Sequence, residues 1–209
     1  MKIGIFGGTF NPIHIGHLRV ALEVKERLAL GKVIFVPSYL PPHKNLADNI
    51  SGGKRFQMIQ MAIKHNPLFE ASDFEVKKET TSYSIKTIEF IGNEYKTTPY
   101  FILGQDAFNE ISTWFKADKL FDHAHFVVMT RPDAVKVPLK KILGEKAKQF
   151  GPTEAGYRNK KNNEIIFVTV SSLEISSSHI RDLCKKGQSI TYLVTKGVEE
   201  YILKERLYR

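Results

Sequence analysis

The 209-residue chain is 42% hydrophobic and 25% charged, ordinary globular proportions that argue against disorder, low complexity or a repeat array. Its formal charge of +9 admits a nucleic-acid surface, an anionic membrane or a small polyanion such as a nucleotide as partner. A single cysteine excludes an internal disulfide, and no run nears the roughly 18 apolar residues of a membrane span; one domain over residues 1–209, cytoplasmic and without a membrane partner, is expected.

The first apolar run, 2–6 (KIGIF), reads as a buried strand, and the stretch FGGTFNPIHIGH at 6–17 leads into a helix over about 16–29. Leu18, Leu22 and Leu28 mark that helix, and Gly31 suits its C-terminal cap. A second strand, 32–36 (KVIFV), precedes PSYLPPHKN at 37–45, and a helix is expected near 53–65. Residues 69–76 (FEASDFEV) alternate as a weaker strand, before a helix near 83–94. Strands at 100–103 and 125–129 flank a helix near 116–122, and 164–170 (EIIFVTV) is the last strand. Helices near 177–186 and 191–205 follow, giving the C-terminal part from about 176 a helical character. Cys184 sits beside Leu183 in an apolar helical pattern, as a buried structural thiol would. Lysine pairs at 77–78, 140–141, 160–161 and 185–186 are dispersed, with no basic arm or RNA-binding aromatic signature, which disfavours nucleic acid.

Strands alternating with helices imply right-handed crossovers and a parallel sheet covered on both faces. The expected fold class is α/β, a doubly wound parallel sheet. Ligands settle there beyond the carboxyl ends of the strands. Four such segments, 7–17, 37–45, 104–106 (GQD) and 171–181 (SSLEISSSHIR), should therefore converge.

The stretch at 6–17 is neither a GxGxxG fingerprint nor a P-loop. Gly7 and Gly8 let backbone approach a ligand, the N–H groups of the helix starting near Gly16 favour an anion, and His14 and His17, three apart, can face one spot there. The result is a cationic, amide-lined turn suited to phosphate oxygens, with Gly16 leaving room for a nucleotide against the helix. Metal ligation by the two histidines would want a third ligand and the HExxH arrangement, which is missing. Asp122, His123 and His125 offer too little for a metal cluster and read as structural.

FGGTFNPIHIGH resembles the TxxxxHxGH signature of class I nucleotidyltransferases, in the GGTF[ND]PxHxGH form of bacterial nicotinate-nucleotide adenylyltransferases. PPHK at 41–44, TSYS at 81–84, GQD, TW at 113–114, RP at 131–132, ISSSHIR at 175–181 and the terminal LYR follow in that family's order, so the resemblance covers essentially the whole chain. It implies a Rossmann-like nucleotidyltransferase fold and adenylyl transfer from ATP to nicotinate mononucleotide in NAD synthesis, with Mg2+ accompanying ATP. It further implies that His14, His17 and Arg181 carry catalysis by holding ATP phosphates. Gly7, Gly8, Thr9, Phe10, Gly16, Gly104, Asp106, Ser176, Ser177 and Ser178 would bind ATP, Asp106 through a ribose. His43, Lys44, Ser82, Tyr83, Ser84, Trp114, Phe115 and Arg131 would bind nicotinate mononucleotide: Trp114 by stacking on the pyridine, backbone near Ser84 and Phe115 through its carboxylate, Lys44 and Arg131 through its phosphate. Asn11 stands where many members have Asp, and Ser178 where Thr is common.

Three rivals remain. A phosphopantetheine adenylyltransferase would be shorter and lack TSYS and Trp114. A synthetase fragment using HIGH would bring a KMSKS-like loop, and a non-catalytic nucleotide sensor or nucleic-acid binder would rest on the charge alone. A homo-oligomer is left open.

Overall fold

A computed structural model describes residues 1–40, 50–132, 134–135, 137–171 and 173–209. His43 and Lys44 lie outside the described residues. The strands are β1 (Ile3–Gly8), β2 (Lys32–Pro37), β3 (Phe69–Ala71), β4 (Tyr100–Gly104), β5 (His125–Thr130), β6 (Phe150–Thr153), β7 (Gly156–Asn159) and β8 (Glu164–Thr169). They form one sheet in the order β3-β2-β1-β4-β5-β8-β7-β6. All pairs from β3 to β8 are parallel, while β7 and β6 add antiparallel. The strand order reverses between β1 and β4, which opens a crevice beyond their carboxyl ends.

Side chains of successive strand residues point to opposite faces, and the core divides accordingly. Phe6, Val33, Phe35, Ile102 and Val127 pack against α1 (Ile15–Arg27), α2 (Gly52–Ile63), α8 (Ser177–Lys185) and α9 (Lys196–Lys204). Ile5, Ile34, Phe101, Leu103 and Val128 pack on the other face against α4 (Ser84–Tyr95), α5 (Gln105–Asn109), α6 (Ala117–His123) and α7 (Leu139–Leu143). Runs apolar at every position are thus explained by burial on both faces. Cys184 is buried in the first cluster as a free thiol.

Four local expectations are corrected. The alternation at 69–76 supports a strand only over Phe69–Ala71, after which Phe74–Lys78 forms a short helix, α3. The last helix begins at Lys196 rather than 191, because residues 191–194 form a bridged turn whose Leu193 carbonyl takes the Ile15 amide. α1 ends through Ala29, in the left-handed region at φ 49°, and Gly31 instead gives its N–H to the Lys2 carbonyl. The β6–β7 hairpin makes the sheet mixed. Gly156 is obligatory there, since at its φ of +155° a Cβ would lie 2.0 Å from the Ile165 carbonyl oxygen.

Candidate active site

The segment between β1 and α1 is tied down from several directions. Fully buried Arg55, on α2, donates to the Thr9 carbonyl at 2.7 Å and to the Tyr39 and Ile50 carbonyls at 3.3 Å. From α8, Ser177 Oγ donates to the Pro12 carbonyl at 2.8 Å and Arg181 Nη1 to the Asn11 carbonyl at 2.9 Å. The Tyr208 hydroxyl donates to Asn11 Oδ1 at 2.6 Å. Phe10 adopts φ 48° and is only 2% exposed, its ring edge-on to Phe6 and His17. It can offer a nucleotide its backbone, and its side chain belongs to the core.

His14 and His17 do face one spot, stacked with centroids 3.7 Å apart. Gly16 makes this possible, because a Cβ there would press on His14 Nδ1 at 3.0 Å. The room that glycine leaves on this side is taken by the imidazole. His17 Nδ1 accepts the His14 backbone N–H at 3.3 Å, so in the neutral ring the hydrogen sits on Nε2. Burial pushes His14 down to about 4; burial, and then the neighbouring His14, push His17 down to about 3. At neutral pH the pair is therefore uncharged, and the turn is a hydrogen-bonding site rather than the cationic one expected. Some helix-start amides are also already used: Ile15 N–H goes to Leu193 and His17 N–H to the His14 carbonyl.

Two cavities open beyond β1 and β4. One, of about 290 Å³, is lined by Gly7, Gly8, Thr9, Ser82, Tyr83, Ser84, Trp114 and Phe115. Half-buried Trp114 stands edge-on to Phe101, and Phe115 lies against Tyr83 with ring centroids 4.3 Å apart. The other, of about 590 Å³, is lined by His14, Gly16, His17, Gly104, Asp106 and Arg131 among others. Both include Phe6 and Gly104 in their walls, so they meet above the strand-order reversal.

The structure thus brings segments 7–17 and 104–106 together, with the start of 171–181 beside them. Arg131 lines the cavity of the two histidines and not that of Trp114. Ser176, Ser177, Ser178 and Arg181 line neither cavity; Ser176 caps α8 through the His179 amide. Asp122 pairs with Lys161 at 3.0 Å, and His125 Nδ1 accepts the Glu164 N–H while its ring stacks on Tyr100. Among the described residues no three His, Cys, Asp or Glu side chains are grouped to hold a metal.

Sequence reasoning overlooked several residues. Ser38, Glu75 and Glu110 line the Trp114 cavity, so it is not free of acids. Burial raises the Glu75 carboxyl, against hydrogen bonds from Ser82 and Thr87 and the nearby Arg55 charge that lower it. The available signal for Arg55 was a cation at helical spacing with Met58, Ile59 and Ile63 on the buried face of α2.

Residues 5–183 match the profile of the cytidylyltransferase-like family. Over 212 residues the chain is 42% identical to a protein of Geotalea daltonii named as a nicotinate-nucleotide adenylyltransferase, covering 100% of this chain and 98% of the relative. The chain belongs to the nicotinate-nucleotide adenylyltransferase family. A second adenylyltransferase of this name, from Caldicellulosiruptor saccharolyticus, is 38% identical over the full length of both chains. The fold is shared with the Plasmodium falciparum nicotinic acid mononucleotide adenylyltransferase solved with NaAD, at TM-score 0.73 and 20% identity, covering 99% of this chain and 97% of that one. Among its described residues the chain has no helix long and apolar enough to cross a membrane.

Proposed function

We propose that the chain transfers the adenylyl group of ATP to nicotinate mononucleotide, releasing pyrophosphate, with ATP in the histidine cavity and the acceptor in the Trp114 cavity. The observation that carries this reading is that the two cavities share the Phe6–Gly104 wall, where an acceptor phosphate can meet the α-phosphorus in line. A phosphate monoester has its second pKa near 6, so the nucleophile is ionised at neutral pH and needs no base. Catalysis is then positioning and charge stabilisation.

In this reading the His17 Nε2–H donates to the transferring phosphate, and His14 holds its partner ring in place. The His14 ring, whose Nδ1 has no hydrogen-bond partner, can take up a proton as triphosphate charge arrives, which suits a leaving pyrophosphate. Arg181 takes the β and γ phosphates in exchange for the Asn11 carbonyl, and Asp106 takes a ribose hydroxyl. Trp114 stacks on the pyridine, with the Ser84 and Phe115 amides toward its carboxylate. Mg2+ would neutralise phosphate charge while held mainly by phosphate oxygens and water; Asp106 is the sole carboxylate among the described residues lining the histidine cavity.

Glu75 and Glu110 favour a second acceptor, nicotinamide mononucleotide, whose uncharged carboxamide can donate where a carboxylate cannot. Glu75 already accepts from Ser82 and Thr87, which turns the balance to nicotinate. Pyrophosphate release with each acceptor decides. Nicotinate mononucleotide should be favoured by about tenfold or more in kcat/KM; preference for the amide overturns the acceptor, and no release with either overturns the reaction.

A pH effect follows from the depressed histidines. The unfolded chain, with imidazoles near 6.5, binds more protons than the folded one between about 3 and 6.5. Stability therefore rises with pH across that window and levels off above it. Triphosphate favours a charged His14 ring, so ATP should raise Tm more at the acid end than at neutral pH. Thermal shifts in phosphate-free buffer test this, and an ATP increment independent of pH counts against histidine contact with ATP.

A further inference from the structure

Tyr208 lies beyond α9 and is 5% exposed, with its hydroxyl on Asn11 Oδ1, a residue 197 positions away and itself 6% exposed. Both Asn11 oxygens are thereby engaged, the side-chain one by Tyr208 and the main-chain one by Arg181. Tyr208 adopts φ 64° and Arg206 φ 50°. An aromatic residue in the left-handed region is uncommon and persists where its surroundings dictate it. Among the contacts that hold it are Leu207, buried with its N–H on the Ile202 carbonyl, and the hydroxyl bond to Asn11. Tyr208 lines neither cavity.

Resting on the adenylyl-transfer reading, we infer that Tyr208 is a positioning residue: its hydroxyl fixes the loop at Asn11 and so sets where the His14–His17 pair meets ATP. Asn11 stands between Phe10, whose ring packs on His17, and His14, whose ring stacks on His17. Loosening Asn11 therefore shifts both supports of the reactive imidazole. The Trp114 cavity is held by other ties, such as Ser82 Oγ accepting the Tyr39 amide and Ser82 N–H on the Leu40 carbonyl. The defect should thus appear in kcat and not in the acceptor KM.

Tyr208→Phe removes only the hydroxyl. Its kcat should fall about tenfold, since small misplacements at a distance are costly, while the acceptor KM stays within about twofold. Tyr201→Phe is the control: that hydroxyl bonds Gln57 on the outer surface, and kcat should hold. Asn11→Ala should lower kcat similarly, and adding Tyr208→Phe to it should cost little more. Histidine ring NMR signals of His14 and His17 should move in Tyr208→Phe and stay in Tyr201→Phe. Unchanged kcat and unmoved signals in Tyr208→Phe, or an equal further loss in the Asn11→Ala background, overturns the inference. Should Tyr208→Phe not fold, Asn11→Ala reads the same contact. An inactive wild type would instead strike the reaction assignment, and the NMR comparison would still decide the hold of Tyr208 on the loop.

Discussion

His17→Ala is expected to lower kcat by two to three orders of magnitude or more, roughly the cost of removing one preorganised donor from a developing charge. The geometry gives no substitute: His14 is stacked behind it and the Ile15 amide is committed to Leu193. The fold should survive. The lost ring contacts Phe6, Phe10 and His14, and truncating a partly exposed side chain costs about 1–3 kcal/mol. Pyrophosphate release measured on protein shown folded by circular dichroism checks this, and turnover near the wild-type rate would take His17 out of its assigned role. Because the imidazole is neutral at neutral pH, a lysine at 17 should not restore activity despite its charge.

Arg55→Met should be the most destabilising single change in the region of the site. It leaves three partly buried carbonyls, Thr9, Tyr39 and Ile50, without their arginine donor; a fully buried group left unsatisfied costs about 1–3 kcal/mol, and partial burial lowers that. Removing the guanidinium also relieves its own desolvation, so a net loss of about 3 kcal/mol is expected. For a chain of this length that lowers Tm by roughly 6–12 °C. Arg55→Lys keeps the charge and can reach fewer carbonyls, so it should fall between. Denaturant melts of the three proteins measure the differences; a methionine variant as stable as wild type would show that the carbonyls find other donors. Activity should fall too, because Thr9 lies in the wall of the Trp114 cavity.

How far the sequence could be read depended on whether the cause of a feature was local. The parallel strands announced themselves because each is buried on both faces and therefore apolar at nearly every position. β6 and β7 did not, since an edge hairpin with partly exposed side chains carries little alternation. The 69–76 stretch misled by continuing a period of two through α3, whose helix has no buried residue to impose the helical period. Among site residues, the His14–His17 spacing placed both rings at one helix start, as three-residue neighbours must be. Arg131 is assigned to the acceptor phosphate by the family resemblance alone, and it lines the cavity of the histidines because β5 ends beside β4.

The chain's own residues, by period, turn chemistry and motif, determined the α/β class and the strand-to-helix turn at 6–17 and pointed that turn toward phosphate, because those properties arise between near neighbours. Only the tertiary structure decided that the imidazoles are neutral, that Gly16 makes room for His14, that Arg55 and Tyr208 brace the loop, and which cavity each residue faces. Those depend on burial and on contacts such as the one between Asn11 and Tyr208, 197 residues apart, and no local pattern encodes a desolvation cost or a distant partner.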